Sequence, residues 1–138
     1  MKHTCQFRVY YEDTDAGGIM YHASFIRFCE RGRTEFLRHL DLSCSELDER
    51  DGILFVIRHI NADYFKSARL DDLLTVKSHI ISLKNTSFVM RQTIFCQDSV
   101  LFSMAVTVVC IDKKGKPVRL PDKIRARFDD YIESETQE

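Results

Sequence analysis

The 138-residue chain carries 20 Lys and Arg against 21 Asp and Glu, a formal net charge of -1, with 44% hydrophobic residues, ten Phe, five Tyr and no Trp. This is a globular composition at the size of one compact domain, here taken as residues 1–138, and it excludes disorder and fibrous repeats. It also lacks the strongly basic balance with which nucleic-acid binders neutralise phosphates, so no nucleic-acid partner is expected.

In chain order, residues 7–11 alternate Phe7, Val9 and Tyr11 against Arg8 and Tyr10 and predict a first strand, and the polar stretch 12–18 that follows, ending in Gly17-Gly18, predicts a loop. Residues 23–40 hold no Pro and one Gly. Phe25, Phe28, Cys29, Gly32, Phe36 and Leu40 recur there at steps of three or four, which predicts a core helix with one apolar stripe. On its other side the Arg27/Arg31 repulsion and the Arg31/Glu35 attraction cancel at about a few tenths of a kcal/mol each, so burial of the stripe must hold the helix. Ser43 or Ser45 is placed to cap a short helix through Glu49, with Gly52 ending it.

Beyond Gly52 the pattern turns to strands over 53–65, 73–83, 86–96 and 100–111, joined by pieces such as Lys84-Asn85 and Gln97-Asp98-Ser99 that are short enough only for antiparallel neighbours. Asp122 is a candidate cap for a closing helix with Ile124, Phe128 and Ile132 at i, i+4 and i+8. The fold class is therefore α+β: one antiparallel sheet wrapped around one long central helix, with a C-terminal helix. Such a sheet has open edges and two faces for one long helix to cover, which predicts a second, identical subunit.

The five cysteines, Cys5, Cys29, Cys44, Cys96 and Cys110, are odd in number and form no CxxC pair, which predicts packing thiols in a reducing compartment and neither disulfides nor a zinc site. The N-terminus lacks an apolar signal core, and no run reaches the roughly 18 apolar residues of a membrane span. A soluble cytoplasmic protein is expected.

The residue types that ask for a chemical explanation lie in Tyr11 to His22. Glu12, Asp13 and Asp15 lie within four residues of one another at a strand end, and His22 follows where the long helix starts. One reading is a solvated acidic loop turned by two glycines. The other is an acyl-transfer site: Gly17 and Gly18 allow close approach to the main chain, and the free N–H groups at the helix start, around His22 and Ala23, polarise a carbonyl oxygen. Asp15 would then act as nucleophile or general base, with the His22 imidazole carrying protons near neutral pH. Asp13-Thr14-Asp15 also has the outline of an aspartyl-phosphate DxD motif, but the downstream antiparallel strands do not supply the parallel sheet such enzymes use. A calcium loop fails for want of further oxygen ligands and a terminal bidentate Glu.

Val9-Tyr10-Tyr11-Glu12-Asp13-Thr14-Asp15-Ala16-Gly17-Gly18-Ile19-Met20-Tyr21-His22-Ala23-Ser24-Phe25, continued by Glu30-Arg31-Gly32-Arg33-Thr34-Glu35, resembles the hot-dog-fold acyl-CoA thioesterases, in particular the YbgC-like, Tol-Pal-associated group related to 4-hydroxybenzoyl-CoA thioesterase. The similarity extends through Arg69-Leu70-Asp71-Asp72 and the stretch from Lys116-Pro117 to Leu120-Pro121. The resemblance implies a five- or six-stranded sheet around a helix, a homodimer or a homotetramer of paired dimers, and an active site at the dimer interface. It also implies metal-free hydrolysis of acyl-CoA with no cofactor, coenzyme A being part of the substrate.

By the same resemblance Asp15 is the essential carboxylate, the His22 N–H polarises the thioester carbonyl, and the side chains of His22 and Tyr11 assist. Two departures bear on acyl preference: Ser24-Phe25 stands where the group has Asn-Tyr, and Ser67 where it has Pro in a Tyr-x-x-Pro-Ala stretch. Met20, Tyr21, Ser24 and Phe25 are candidate substrate contacts, and Lys84 and Arg91, near the turn between the third and fourth strands, are candidates for the phosphates of coenzyme A. The other class weighed is a non-catalytic dimer that binds acyl chains or acyl carrier protein, as a scaffold for lipid-synthesis or envelope proteins.

Overall fold

The computed structural model describes residues 1–135. Its first strand, β1 (His3–Arg8), lies further toward the N-terminus than the sequence pattern placed it. His3, Cys5 and Phe7 face inward and Thr4, Gln6 and Arg8 outward. The strand ends early because the Asp13 carboxylate accepts the Tyr10 N–H at 2.9 Å while the Asp13 N–H bonds back to the Tyr10 carbonyl at 3.0 Å. These two bonds fold Tyr11–Asp13 into a 3-10 turn.

The long helix α1 (His22–His39) spans 18 residues and buries Phe25, Phe28, Cys29, Gly32 and Phe36 of the predicted stripe, with Leu40 half-buried just past its end. At Gly32 the helix meets the sheet so closely that a Cβ there would lie 2.8 Å from Val76 Cγ1. Ser43 caps the short helix α2 (Cys44–Glu46) by accepting the Glu46 N–H at 3.1 Å, and a π turn over Leu47–Asp51 ends at Gly52 with φ of 65°.

Strands β2 (Ile53–Tyr64), β3 (Leu73–Leu83), β4 (Ser87–Cys96) and β5 (Ser99–Asp112) match the predicted ones to within a residue or so. They join β1 in one antiparallel sheet of order β1-β3-β4-β5-β2. Register shifts at Ile57/His59, Ile80/Ser82 and Ile94/Phe95 raise the local twist and curl the sheet around α1, giving the expected hot-dog architecture. The core between sheet and helix is aromatic, with Phe28, Phe36, Phe102 and Phe128 fully buried.

The closing helix α3 (Asp122–Phe128) is shorter than its pattern suggested. Pro121 occupies the cap, and Asp122 stands in the first turn facing Arg119 at 3.5 Å. Ile124 and Phe128 are buried as expected, but a 3-10 turn over Asp129–Tyr131 takes Ile132 off the helix and into a bridge with Ile80. Tyr131, not Ile132, packs on Phe36, with ring centroids 5.0 Å apart.

Burial lowers the pKa of His3, whose ring lies 5.3 Å from that of His39, and also lowers that of His79. Below the unfolded value of about 6.5 the unfolded chain then takes up protons that the folded chain resists. This part of the stability is complete above that pH and is lost as pH falls toward the folded values. Thermal melts at falling pH are expected to show Tm declining below about pH 6.5, with a shallower decline in His3→Gln.

Candidate active site

The chain from Thr14 to Met20 doubles back on itself, with the two ends bridged. The Asp15 N–H bonds to the Ile19 carbonyl at 2.9 Å and the Gly18 N–H to the Asp15 carbonyl at 3.0 Å. Gly18 takes φ of 81°, a conformation that glycine adopts without steric cost. The Met20 N–H reaches the Ala68 carbonyl at 2.8 Å and pins the loop to the segment after β2. Within the loop the Asp15 Oδ1 accepts the Gly17 N–H at 2.8 Å, which fixes the carboxylate while leaving the residue exposed.

A Cβ at Gly17 would sit 3.2 Å from Asp15 Oδ1, so any larger residue there presses on the carboxylate and shifts it by a few tenths of an ångström. Gly17→Ala is expected to turn the carboxylate and lower kcat by about 10- to 100-fold with little change in Tm, as steady-state kinetics beside a melting curve would show.

Helix α1 starts at His22 after the extended Tyr21, with no side chain capping it. The Ser24 N–H bonds to the Tyr21 carbonyl at 2.9 Å. Among the described residues, the His22 and Ala23 N–H groups donate to no protein acceptor. These are the first orphan donors of a helix, at its positive end. The N–H groups of Gly17 and Gly18, the two glycines expected to let substrate approach the main chain, are both engaged by Asp15. The helix start is held from below by Asp13, whose carbonyl accepts from the Tyr21 N–H at 2.8 Å and from Ser24 Oγ at 3.2 Å.

Asp15, Ile19, Met20, His22 and Phe25 line one side of an open cleft of about 380 Å³, and Tyr64, Phe65, Lys66 and Ser67 line the other. Four of the sequence candidates therefore share one cleft: Asp15, His22, Met20 and Phe25. The Tyr21 ring packs against the His22 ring at a tilt of 47°, with centroids 4.4 Å apart.

The others are placed elsewhere. Ser24 is fully buried and accepts from Arg27 at 2.6 Å, which leaves it no surface toward the cleft. Tyr11 is 84% exposed on the 3-10 turn and is not among the cleft residues. Lys84 lines a separate polar groove with Arg58 and His59. Arg91 projects on the outer face of β4, paired with Glu135 at 2.6 Å.

Tyr64 is the residue that spacing did not reveal. Its hydroxyl donates to the His22 carbonyl at 2.7 Å, and its ring packs edge-on against Phe25 and Phe102, so the end of β2 braces the first turn of α1. Burial raises the phenol pKa, which keeps it a donor at neutral pH. The signal was present in the Tyr of the Tyr-x-x-Pro-Ala stretch. Tyr64→Phe is expected to cost about five- to tenfold in kcat, the worth of one hydrogen bond, with KM little changed.

The thiols are poor nucleophiles here. Burial pushes Cys29 up to about 12 and Cys5 and Cys110 up to about 11, so their thiolate fraction at neutral pH is negligible. Among the described residues no cluster of three or more His, Cys, Asp or Glu has the geometry to hold a metal, and no helix is long and apolar enough to cross a membrane.

The chain is similar to the Acyl-CoA thioester hydrolase YbgC of Escherichia coli O6:H1, at 47% identity over 123 residues that cover 88% of this chain and 91% of that protein. It is also 41% identical to the Acyl-CoA thioesterase YbgC of Haemophilus influenzae, over 88% of this chain and 90% of that one. Among solved structures, a probable thioesterase from Bartonella henselae superposes with a TM-score of 0.85 at 40% identity, covering 88% of this chain and all of that one. The family model of the thioesterase-like superfamily matches residues 9–128, which takes in the loop, α1 and the whole sheet from β2 onward. With that match, and with relatives above 40% identity along nearly their full length, the chain belongs to the thioesterase-like superfamily.

Proposed function

We propose that this thioesterase hydrolyses acyl-CoA to the free acid and coenzyme A in the cleft between Asp15 and the start of α1. The observation that carries the reading is the meeting, in one cleft, of a fixed Asp15 carboxylate with His22 at the start of α1, where the His22 and Ala23 N–H groups have no acceptor among the described residues. The thioester carbonyl oxygen sits at the His22 and Ala23 N–H groups, which gain most as negative charge develops there. Asp15 then either attacks the carbonyl carbon, expelling the coenzyme A thiolate and leaving an anhydride for water to open, or takes a proton from an attacking water. The exposed His22 imidazole, at the same cleft, is suited to protonate the departing thiolate. Neither route needs a cofactor, and the names of the YbgC relatives support acyl-CoA as the substrate class.

The working form is a homodimer, or a homotetramer of two dimers, in the cytoplasm. β2 has β5 on one side only, and Leu54, Val56, Ile57 and Ile60 along it are each about two-fifths exposed, so a second copy would cover that edge. Acyl carrier protein and lipid-synthesis proteins remain the proposed further partners.

The test is thiol release from a panel of acyl-CoAs of graded chain length. Turnover of at least one member supports the reading. Tight binding without turnover across the panel would instead favour an acyl-binding scaffold.

A further inference from the structure

The wall of the cleft that faces Asp15 carries donors that neither route of thioester hydrolysis uses. Lys66 and Ser67 stand on it, in the segment between β2 and β3. That segment is held at both ends: the Phe65 and Lys66 N–H groups bond to the Leu101 carbonyl at 2.8 and 3.2 Å, and the Ala68 carbonyl accepts the Met20 N–H at 2.8 Å. Between these anchors the Ser67 N–H donates to no protein acceptor among the described residues, and its hydroxyl adds a second donor. Proline at this position, as in the related group, would supply neither. Beside it stands the Lys66 ammonium, with three donors and, among the described residues, no carboxylate within ion-pair distance; Asp15, across the same cleft, lies beyond that reach. A fixed backbone thus presents a free cation and two further donors to the space where the substrate lies.

We propose that Lys66 and Ser67 set the acyl preference of this cleft and favour acyl groups that end in a carboxylate a few carbons from the thioester, the monothioesters of short dicarboxylic acids; this rests on the acyl-CoA reading above. With the thioester carbonyl at the start of α1, the substrate passes along the wall that holds Lys66 and Ser67. The pantetheine arm is neutral beside the sulfur and carries charge only at its far, nucleotide end, so an anion that Lys66 meets inside the cleft belongs to the acyl group. One carboxylate oxygen takes the ammonium, and the other takes the Ser67 N–H or hydroxyl. Tyr64 and Phe65 on the same wall, and Met20 and Phe25 across from it, give the intervening methylenes apolar contact. Apolar contacts alone would favour an uncharged chain, because a carboxylate pressed against them without donors loses hydration. Lys66 and Ser67 reverse that order.

Steady-state kinetics on the full chain reads the preference, with malonyl-, succinyl- and glutaryl-CoA each set against the uncharged acyl-CoA of equal carbon count (propionyl-, butyryl- and valeryl-CoA) and corrected for uncatalysed hydrolysis. At low ionic strength at least one dicarboxylic member is expected to exceed its uncharged counterpart about tenfold or more in kcat/KM, the ratio that charge-assisted hydrogen bonds support in a cleft open to water. Lys66→Met should abolish that preference, Lys66→Arg should retain most of it, and Ser67→Pro, which removes both of its donors, should weaken it. The absence of any preference for the dicarboxylic member in all three pairs, in the unaltered protein, overturns the proposal. So does a Lys66→Met protein in which both members of a pair lose kcat/KM alike, because the ammonium then meets the phosphates of coenzyme A.

Binding separates a failure of this inference from a failure of the acyl-CoA reading. The thioethers S-(3-carboxypropyl)-CoA and S-butyl-CoA cannot be hydrolysed, so titration calorimetry with them needs no catalysis. A tighter Kd for the carboxylate analogue, lost in Lys66→Met and kept in Asp15→Asn, supports the carboxylate site even where no acyl-CoA is turned over, an outcome that counts against hydrolysis alone. Equal Kd values for the two analogues, with butyryl-CoA still turned over, leave hydrolysis standing and overturn the role given to Lys66 and Ser67.

Discussion

Asp15→Asn is expected to lower kcat for acyl-CoA hydrolysis by about 10²- to 10⁴-fold while the Kd of an unhydrolysed acyl-CoA analogue changes little. The substitution is suited to the question because it keeps the shape of the loop. An Asn Oδ1 can still accept the Gly17 N–H that Asp15 accepts at 2.8 Å, so the turn through Gly18 and the start of α1 are undisturbed. The amide loses the ability to attack a carbonyl carbon or to take a proton from water. A loss of kcat with binding retained therefore isolates the chemistry from the architecture. Unchanged kcat in a folded protein would contradict the role given to Asp15.

Gln92→Leu is expected to destabilise the fold by about 2–4 kcal/mol, measured by denaturant unfolding. Gln92 is fully buried between α1 and the sheet. Its Nε2 donates to the Cys29 carbonyl at 2.8 Å and to Ser78 Oγ at 3.1 Å, and its Oε1 accepts from Arg33 at 2.8 Å. One side chain thus joins the middle of α1 to β3 and β4 where Gly32 lets helix and sheet approach most closely. Leucine is of similar size, so little cavity opens. The loss reports the groups left behind: a buried hydroxyl at Ser78, a lost partner on the Cys29 carbonyl, and an Arg33 without the acceptor it has at Gln92. A change below about 1 kcal/mol would mean that water or a rearranged Arg33 replaces those bonds.

The elements that were legible in the sequence are those where burial and periodicity coincide. The Phe25, Phe28, Phe36 stripe could belong to nothing but a helix against a core, and the long alternating strands after Gly52 had turns too short for anything but antiparallel neighbours. Where a polar side chain decides the backbone, periodicity pointed to the wrong residues. The alternation of Val9 and Tyr11 looked like strand, yet the Asp13 carboxylate captures the Tyr10 N–H and bends the chain there. Ile132 kept the helical spacing of Ile124 and Phe128, but the 3-10 turn over Asp129–Tyr131 rotates it onto β3.

The site divides in the same way. Asp15, His22, Met20 and Phe25 are close in sequence, and the loop that joins them also brings them together. Tyr64 is 42 residues from the carbonyl it holds and meets it only through the path of β2 across the sheet. Ser24 fell on the wrong side because one residue of helix is 100° of rotation: Phe25 turns to the cleft and Ser24 into the interior. Arg91 went astray by the two-residue period of a strand, which sets it on the outer face opposite its neighbours Met90 and Gln92.

A crystal structure of Asp15→Asn with an intact acyl-CoA tests the central claim most directly. The expected result is the thioester carbonyl oxygen about 3 Å from the His22 and Ala23 amide nitrogens, with the side chain of residue 15 facing the carbonyl carbon directly or through one water. A thioester bound with its carbonyl away from the start of α1, or beyond reach of residue 15, would contradict it.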